Sequence, residues 1–197
     1  MTKRDIIVIG ASAGGIEALR ELTSELPARL DAAILIVLHI PPWWDSQLPA
    51  LLSREGGVQA VAAREDDPIE HGRIYVAAPE HHLLVDSGRI HLWRGPKENL
   101  HRPAINALFR SAAVTFGERV IGIVLSGCMD DGSTGLWWVK RFQGLTVVQH
   151  PNEARYPDMP QNALRHVAVD YILTAREIGK SLPNMIHGMN REATREP

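Results

Sequence analysis

Ile6-Ile7-Val8-Ile9-Gly10-Ala11-Ser12-Ala13-Gly14-Gly15 is the stretch whose reading decides the fold. Four β-branched residues without a polar break suit a strand buried on both faces. Gly10 to Gly15 reads as a turn. Ile16, Leu19, Leu22 and Leu26 then recur at helical spacing until Pro27 stops the helix. The unit repeats along the chain. Ala33–Leu38 reads as a second buried strand ended by Pro41-Pro42, and 46–52 as a short helix. Pro103 is expected to open a helix reaching about Thr115. Strands are expected at 120–125, 145–148 and 169–173, and helices from Ser133 through Phe142, over 161–165 and over 174–186, the last with Thr174 as its cap.

The middle has another character. Residues 59–63, 73–77, 82–85 and 89–93 are short and partly alternating, and Asp86-Ser87-Gly88 is a hairpin signal. Residues 58–95 are expected to form antiparallel strands at one sheet edge, or a β appendage. Alternating strand and helix units imply an α/β fold: a doubly wound, mostly parallel sheet with helices on both faces. Sites in such sheets form at the carboxyl ends of strands.

The chain of 197 residues carries 21 Lys and Arg against 23 Asp and Glu, a net charge of −2 that speaks against a nucleic-acid binder. Its 45% apolar and 22% charged residues exclude wholesale disorder. Cys128 is the single cysteine, so an intrachain disulfide and a multi-cysteine zinc site are excluded. No apolar run approaches the roughly 18 residues of a membrane span. The expectation is one domain over 1–186 with a polar tail over 187–197, cytoplasmic and not embedded in a membrane.

Three strand ends carry polar groups: Ser12, His39, and the run Ser126-Gly127-Cys128-Met129-Asp130-Asp131-Gly132. Gly10-Ala11-Ser12-Ala13-Gly14 fits the G-x-S-x-G elbow, in which a sharp turn exposes a nucleophilic hydroxyl. The same residues also fit a dinucleotide turn with Ser12 in the middle, or a tight turn with no further role. A dinucleotide site calls for an acidic residue at the end of the second strand. His39 stands there instead and suits a general base. Asp130 and Asp131 offer the carboxylate of a Ser-His-Asp set, or a helix cap. The order Ser, His, Asp differs from the Ser, Asp, His order of α/β-hydrolases. His71, His81-His82 and His101 lack metal-ligand spacing and are assigned solvated or structural places. Trp43-Trp44 and Trp137-Trp138 are candidates for lining a cleft, with one of each pair in the core. Arg102, Arg155 and Tyr156 are placed in loops bordering the site.

With these residues assembled, the chain resembles the catalytic domain of CheB-type chemotaxis protein-glutamate methylesterases from Ile6 to about Ile186. The landmarks are Gly10 to Gly15, His39-Ile40-Pro41-Pro42, Tyr75-Val76-Ala77-Ala78-Pro79, His101-Arg102-Pro103, Leu125-Ser126-Gly127 followed by Asp131-Gly132, and Met159-Pro160 before Ala163. The resemblance implies a serine hydrolase acting in chemotaxis-like signal transduction. It implies hydrolysis of glutamate γ-methyl esters on chemoreceptors, with methanol released and some glutamine deamidated. Ser12 corresponds to the nucleophile, His39 to the base and Asp131 to the orienting acid, which leaves Asp130 as a helix cap or solvated neighbour. Ala13, Gly14, Cys128, Met129 and Met159 are the candidates for the oxyanion site and its lining. No metal or organic cofactor is implied. The partner is a methylated chemoreceptor or other sensory protein. The family usually carries a phosphorylatable receiver domain, expected here to be absent or supplied in trans by another protein. It usually has Thr where this chain has Ala13, and Met-Gly-Asn-Asp where this chain has Cys128-Met129-Asp130-Asp131; both departures touch the oxyanion region. The alternative is a non-catalytic or altered-specificity domain that binds a sensory partner, or a small anion at the Gly14-Gly15 helix start.

Overall fold

The structure is a computed structural model and describes residues 2–39 and 47–188. In chain order it contains β1 (Ile6–Ala11), α1 (Gly15–Ser24), β2 (Ala33–Leu38), α2 (Leu48–Glu55), β3 (Gln59–Ala62), β4 (Arg73–Val76), β5 (His82–Asp86), β6 (Arg89–Trp93), α3 (Ile105–Phe116), a 3-10 turn (Gly117–Arg119), β7 (Val120–Val124), α4 (Ser133–Arg141), β8 (Leu145–Gln149), α5 (Asp158–His166), β9 (Tyr171–Leu173) and α6 (Ala175–Ile186). The readings placed on Pro41-Pro42, on Trp43-Trp44 and on the tail beyond Gly188 lie outside the described residues.

Seven strands form one parallel sheet in the order β3-β4-β2-β1-β7-β8-β9. The period-two alternation of strands sorts the apolar run of β1 onto two faces. Ile7, Ile9 and Ala11 pack with Leu19 and Leu22 of α1, Leu52 of α2, and Ile178 and Leu182 of α6. Ile6 and Val8 pack with Leu108 and Phe109 of α3, Leu136 of α4, Ala163 of α5 and Leu83 of β5. The doubly wound α/β architecture expected from the sequence is thus present.

Residues 58–95 depart from the expectation. β3 and β4 are parallel strands of the main sheet, and β4 inserts between β2 and β3, with Ile34 and Ala60 both opposite Ile74. Among the described strands, β5 and β6 alone pair antiparallel, as the expected β appendage. The physical reason is burial. Ile74, Tyr75 and Val76 are covered on both faces, as a strand inside a parallel sheet must be. The hairpin turns at Ser87 and Gly88, both at positive φ, and lies against α3. There Ser111 Oγ accepts the Val85 N–H at 3.1 Å, and Thr115 Oγ1 donates to the Val85 carbonyl at 3.1 Å.

Two helix starts also repay comparison. α3 begins two residues later than expected. Ala104 is its cap residue, in extended conformation, and Pro103 stands just before it. Thr174 caps α6 as expected, in a reciprocal arrangement with Glu177. Thr174→Ala should therefore lower the unfolding free energy by about 0.5–2 kcal/mol, read from urea denaturation, while catalytic rates stay at the unmutated level.

Candidate active site

The chain leaves β1 for β2 on one side and later returns to lay β7 on the other. The carboxyl ends of β1 and β7 therefore flank the point where the winding reverses, the usual place for a site in an open α/β sheet.

Ser12 is the residue after β1. Its N–H donates to the Ser126 carbonyl at 2.9 Å, which ties it to the end of β7, and its own carbonyl accepts the Gly15 N–H at 2.9 Å. Gly14, at φ +70°, closes this turn and is the cap residue of α1. A Cβ there would lie 2.8 Å from Ser126 Oγ and 3.0 Å from the Cβ of Arg155, so the turn is built for glycine. Ser126 Oγ donates to the Ala13 carbonyl at 2.8 Å and accepts the Tyr156 N–H at 3.0 Å. Gly127 lies so close to Met159 and to Ser12 that a Cβ would fall 2.1 Å from Met159 Sδ and 2.8 Å from the Ser12 Cβ. Met159, fully buried, floors the nucleophile turn. Its N–H donates to the Gly127 carbonyl at 3.0 Å, and the Gly127 N–H donates to the Tyr156 carbonyl at 2.9 Å. Tyr156 thus borders the site, as placed from sequence. Arg155 reaches Glu17 at 3.6 Å on the surface.

His39 is the residue after β2. The register pairs Ala11 with Leu38, and the His39 N–H donates to the Ala11 carbonyl at 3.1 Å, so Ser12 and His39 stand side by side at neighbouring strand ends. The His39 ring is 7% exposed, and its Nε2 lies 2.9 Å from Asp131 Oδ2. Its Nδ1 is buried and makes no hydrogen bond among the described residues. An ionised carboxylate accepts only, so Nε2 carries the hydrogen and Nδ1 the lone pair when the ring is neutral.

Asp131, 1% exposed, does more than hold that ring. Its carboxylate accepts the N–H groups of Ile105 at 2.7 Å, Asn106 at 3.1 Å and Gly132 at 3.0 Å. The first two are the opening N–H groups of α3, which lack partners inside the helix. The cap and the imidazole partner are therefore one residue. Of the two places expected for Asp130, helix cap or solvated neighbour, the second holds: Asp130 is exposed, and its carbonyl accepts the Ser133 N–H at 3.1 Å. Cys128 is half-buried and free. Met129 is 50% exposed at φ +68°, and its carbonyl accepts from Asn162 Nδ2 at 2.7 Å.

Sequence reasoning passed over two residues of this site. Asn106 is buried, and its Oδ1 accepts the N–H groups of Gly132 at 3.0 Å and Gly135 at 2.6 Å, pinning the Asp131 loop to α3. The sequence gives His101 a solvated or structural place and a position in a family landmark. Its ring instead lies flat on His39, with centroids 3.6 Å apart and 8° between the planes. Burial, reinforced by the facing His39 ring and by Lys97, holds the His101 imidazole below its ordinary pKa against the opposing pull of Asp131. Only the landmark His101-Arg102-Pro103 could have signalled this.

His82 and His71 are held by structural contacts away from this centre. His82 donates from Nε2 to the Pro96 carbonyl at 2.9 Å and accepts the Ala104 N–H on Nδ1 at 3.2 Å. His71 lies between Asp5 and Asp31. No cluster of His, Cys, Asp and Glu fit for a metal ion occurs among the described residues. Arg102 is paired with Glu80 at 2.5 Å. Trp138 packs against the core, whereas Trp137 borders a cavity of about 420 Å³ with Asp130, Ser133, Thr134 and His166. No described helix is long and apolar enough to cross a membrane.

Comparison with known proteins identifies the family and the fold. A family model described as CheB methylesterase matches residues 7–182. A Leptospira interrogans protein provisionally named protein-glutamate methylesterase/protein-glutamine glutaminase is 35% identical over 89% of this chain and 92% of its own. A Methanosarcina acetivorans protein-glutamate methylesterase/protein-glutamine glutaminase is 34% identical over 93% of this chain but only 54% of its own. The crystal structure of the Thermotoga maritima CheB methylesterase catalytic domain superimposes with a TM-score of 0.88 at 26% identity, covering 93% of this chain and all of that one.

The bonding of Asp131 generates a prediction about stability. In Asp131→Asn an amide NH₂ meets N–H donors, leaving a buried donor unpaired. That should cost about 1–3 kcal/mol. Asp130→Asn, at an exposed position, should stay within about 0.5 kcal/mol of the unmutated protein. Chemical denaturation of the two variants side by side checks both.

Proposed function

Given that the chain belongs to the CheB methylesterase family, we propose that it hydrolyses glutamate γ-methyl esters on a methylated chemoreceptor or related sensory protein, with Ser12, His39 and Asp131 as its catalytic set. The observation that carries this reading is the state of His39. One ring nitrogen is held by Asp131, and the other is buried, unbonded and beside the turn that presents Ser12.

Ser12 Oγ attacks the γ-carbonyl while His39 Nδ1 accepts its proton. The imidazolium is stabilised by Asp131 through Nε2–H. This uses the two ring nitrogens in the opposite sense to the serine proteases, where the carboxylate sits on Nδ1. The oxygen charge that develops is met by backbone N–H groups after the nucleophile, at Ala13 and Gly14, and in the Cys128-Met129 turn. Each such donor can contribute about 10²–10³ in rate. These are backbone groups, so Ala13 in place of the family's usual Thr leaves a donor in position. His39 returns its proton to the departing methoxide, methanol leaves, and water activated by the same nitrogen releases the glutamate. Glutamine deamidation follows the same steps with ammonia as the leaving group.

Methanol release from membranes bearing methylated receptors tests the proposal. Ser12→Ala and His39→Ala should abolish release. Asp131→Asn should cost on the order of 10⁴ in turnover beyond its effect on folding, and Asp130→Asn should leave most activity in place. Release at the unmutated rate by Ser12→Ala would rule out the nucleophile.

A further inference from the structure

Resting on that reading of His39 as the base, we propose that His101 is a positioning residue for the reaction, whose ring holds the His39 imidazole in the plane from which Nδ1 can take the Ser12 proton while Nε2 stays on Asp131. The need for such a residue follows from geometry. The torsion that turns an imidazole about its Cβ–Cγ bond is broad and has no strong intrinsic well. A single hydrogen bond at Nε2 fixes one corner of the ring and leaves the tilt about that contact free. A flat partner at van der Waals distance removes that freedom, and His101 is such a partner, at 3.6 Å and 8°.

The mount of His101 is itself rigid. Glu98 and His101 exchange two backbone hydrogen bonds, at 3.1 and 2.9 Å, around a two-residue turn. Both turn residues, Asn99 and Leu100, have positive φ, at 49° and 67°. That conformation is uncommon for a side chain as bulky as Leu100 and persists where surrounding structure enforces it. Here Arg110 of α3 holds the Glu98 carboxylate with two hydrogen bonds, at 2.8 and 2.9 Å. The following residue, Arg102, is bound to Glu80 at 2.5 Å and to the Gly95 carbonyl at 2.7 Å. Both sides of His101 are thus anchored by arginines, and its ring lies where the anchors put it.

The clamp works as a neutral ring. His39 becomes positive when it takes the proton of Ser12, and a second imidazolium stacked on it would repel that charge. The charged and titratable groups facing His101 are His39, Asp131 and Lys97, with the Glu98–Arg110 and Glu80–Arg102 pairs closing their own charges. Burial favours the uncharged ring of His101 in this company.

Three variants of the full chain test the proposal: His101→Phe, which keeps a flat ring; His101→Leu, which fills the volume without one; and His101→Ala. The readouts are the rate at which a serine-directed sulfonyl fluoride labels Ser12, located by mass spectrometry, and kcat and KM for methanol release. Thermal melting of each variant accompanies them. Misplacing a reacting group by an ångström costs up to about 10²-fold, so Ala and Leu should lose about 10- to 100-fold in labelling rate and kcat with KM within about twofold, and Phe should recover to within about threefold of the unmutated protein. Labelling of the Ala variant at the unmutated rate, equal recovery by Leu and Phe, or a loss confined to KM would overturn it. If Ala fails to fold, Phe against Leu still decides. An unmutated protein that the probe does not label at Ser12 would instead overturn the reading of Ser12 and His39 themselves, independently of His101.

Discussion

The carboxylate of Asp131 is the interaction on which the rest of the site depends. It is buried and accepts from four donors: the N–H groups of Ile105, Asn106 and Gly132, and the ring of His39. A buried charge is tolerated only when it is paired and hydrogen-bonded in this way. The positive end of the α3 dipole adds to that stabilisation. One side chain thereby locks three segments that are far apart in sequence: the end of β2, the start of α3, and the loop after β7. Charge-assisted bonds of this kind are shorter and stronger than neutral ones, which suits a point that must not move.

Around that anchor, the backbone rather than the side chains sets the distances. Ser12 is placed by bonds from its own N–H and carbonyl to Ser126 and Gly15, and Ser126 by bonds to Ala13 and Tyr156. Gly14 and Gly127 let chain segments approach to distances that a Cβ would forbid. The nucleophile turn, the Met159 floor and the β7 loop are therefore one hydrogen-bonded unit. A change of residue type at Ala13 or Cys128 leaves the groups that build it in place.

The sequence made the strands of the sheet centre legible because β1, β2 and β7 are buried on both faces and read as unbroken apolar runs. Ser12 and His39 were legible as candidates because each directly follows such a run, and a parallel sheet gathers its carboxyl ends on one edge; the choice of Asp131 over Asp130 came from the family resemblance. What escaped was whatever depends on contacts between distant segments. The direction of β3 and β4 is fixed by the insertion of β4 beside β2, which alternation within 59–76 does not encode. The dual part of Asp131 requires the start of α3 to meet the β7 loop, and no local pattern near Asp131 announces that. His101 lies in a polar loop of ordinary composition, and its importance arises from a ring stack with a residue more than sixty positions earlier.

The order of the strands also has a consequence in time. β1 can pair with β2 once the chain has been made as far as residue 38, because Ile6 faces Ala33. Its other edge waits for β7, where Ile6 faces Val120. Loop closure over that span must precede any reward from the pairing, so the search for this contact dominates the folding time. During synthesis the growing chain carries a half-finished central strand, with Ile7 and Ile9 at an open edge, until residues 120–124 have left the ribosome. That interval is when the protein is most exposed to pairing with another chain.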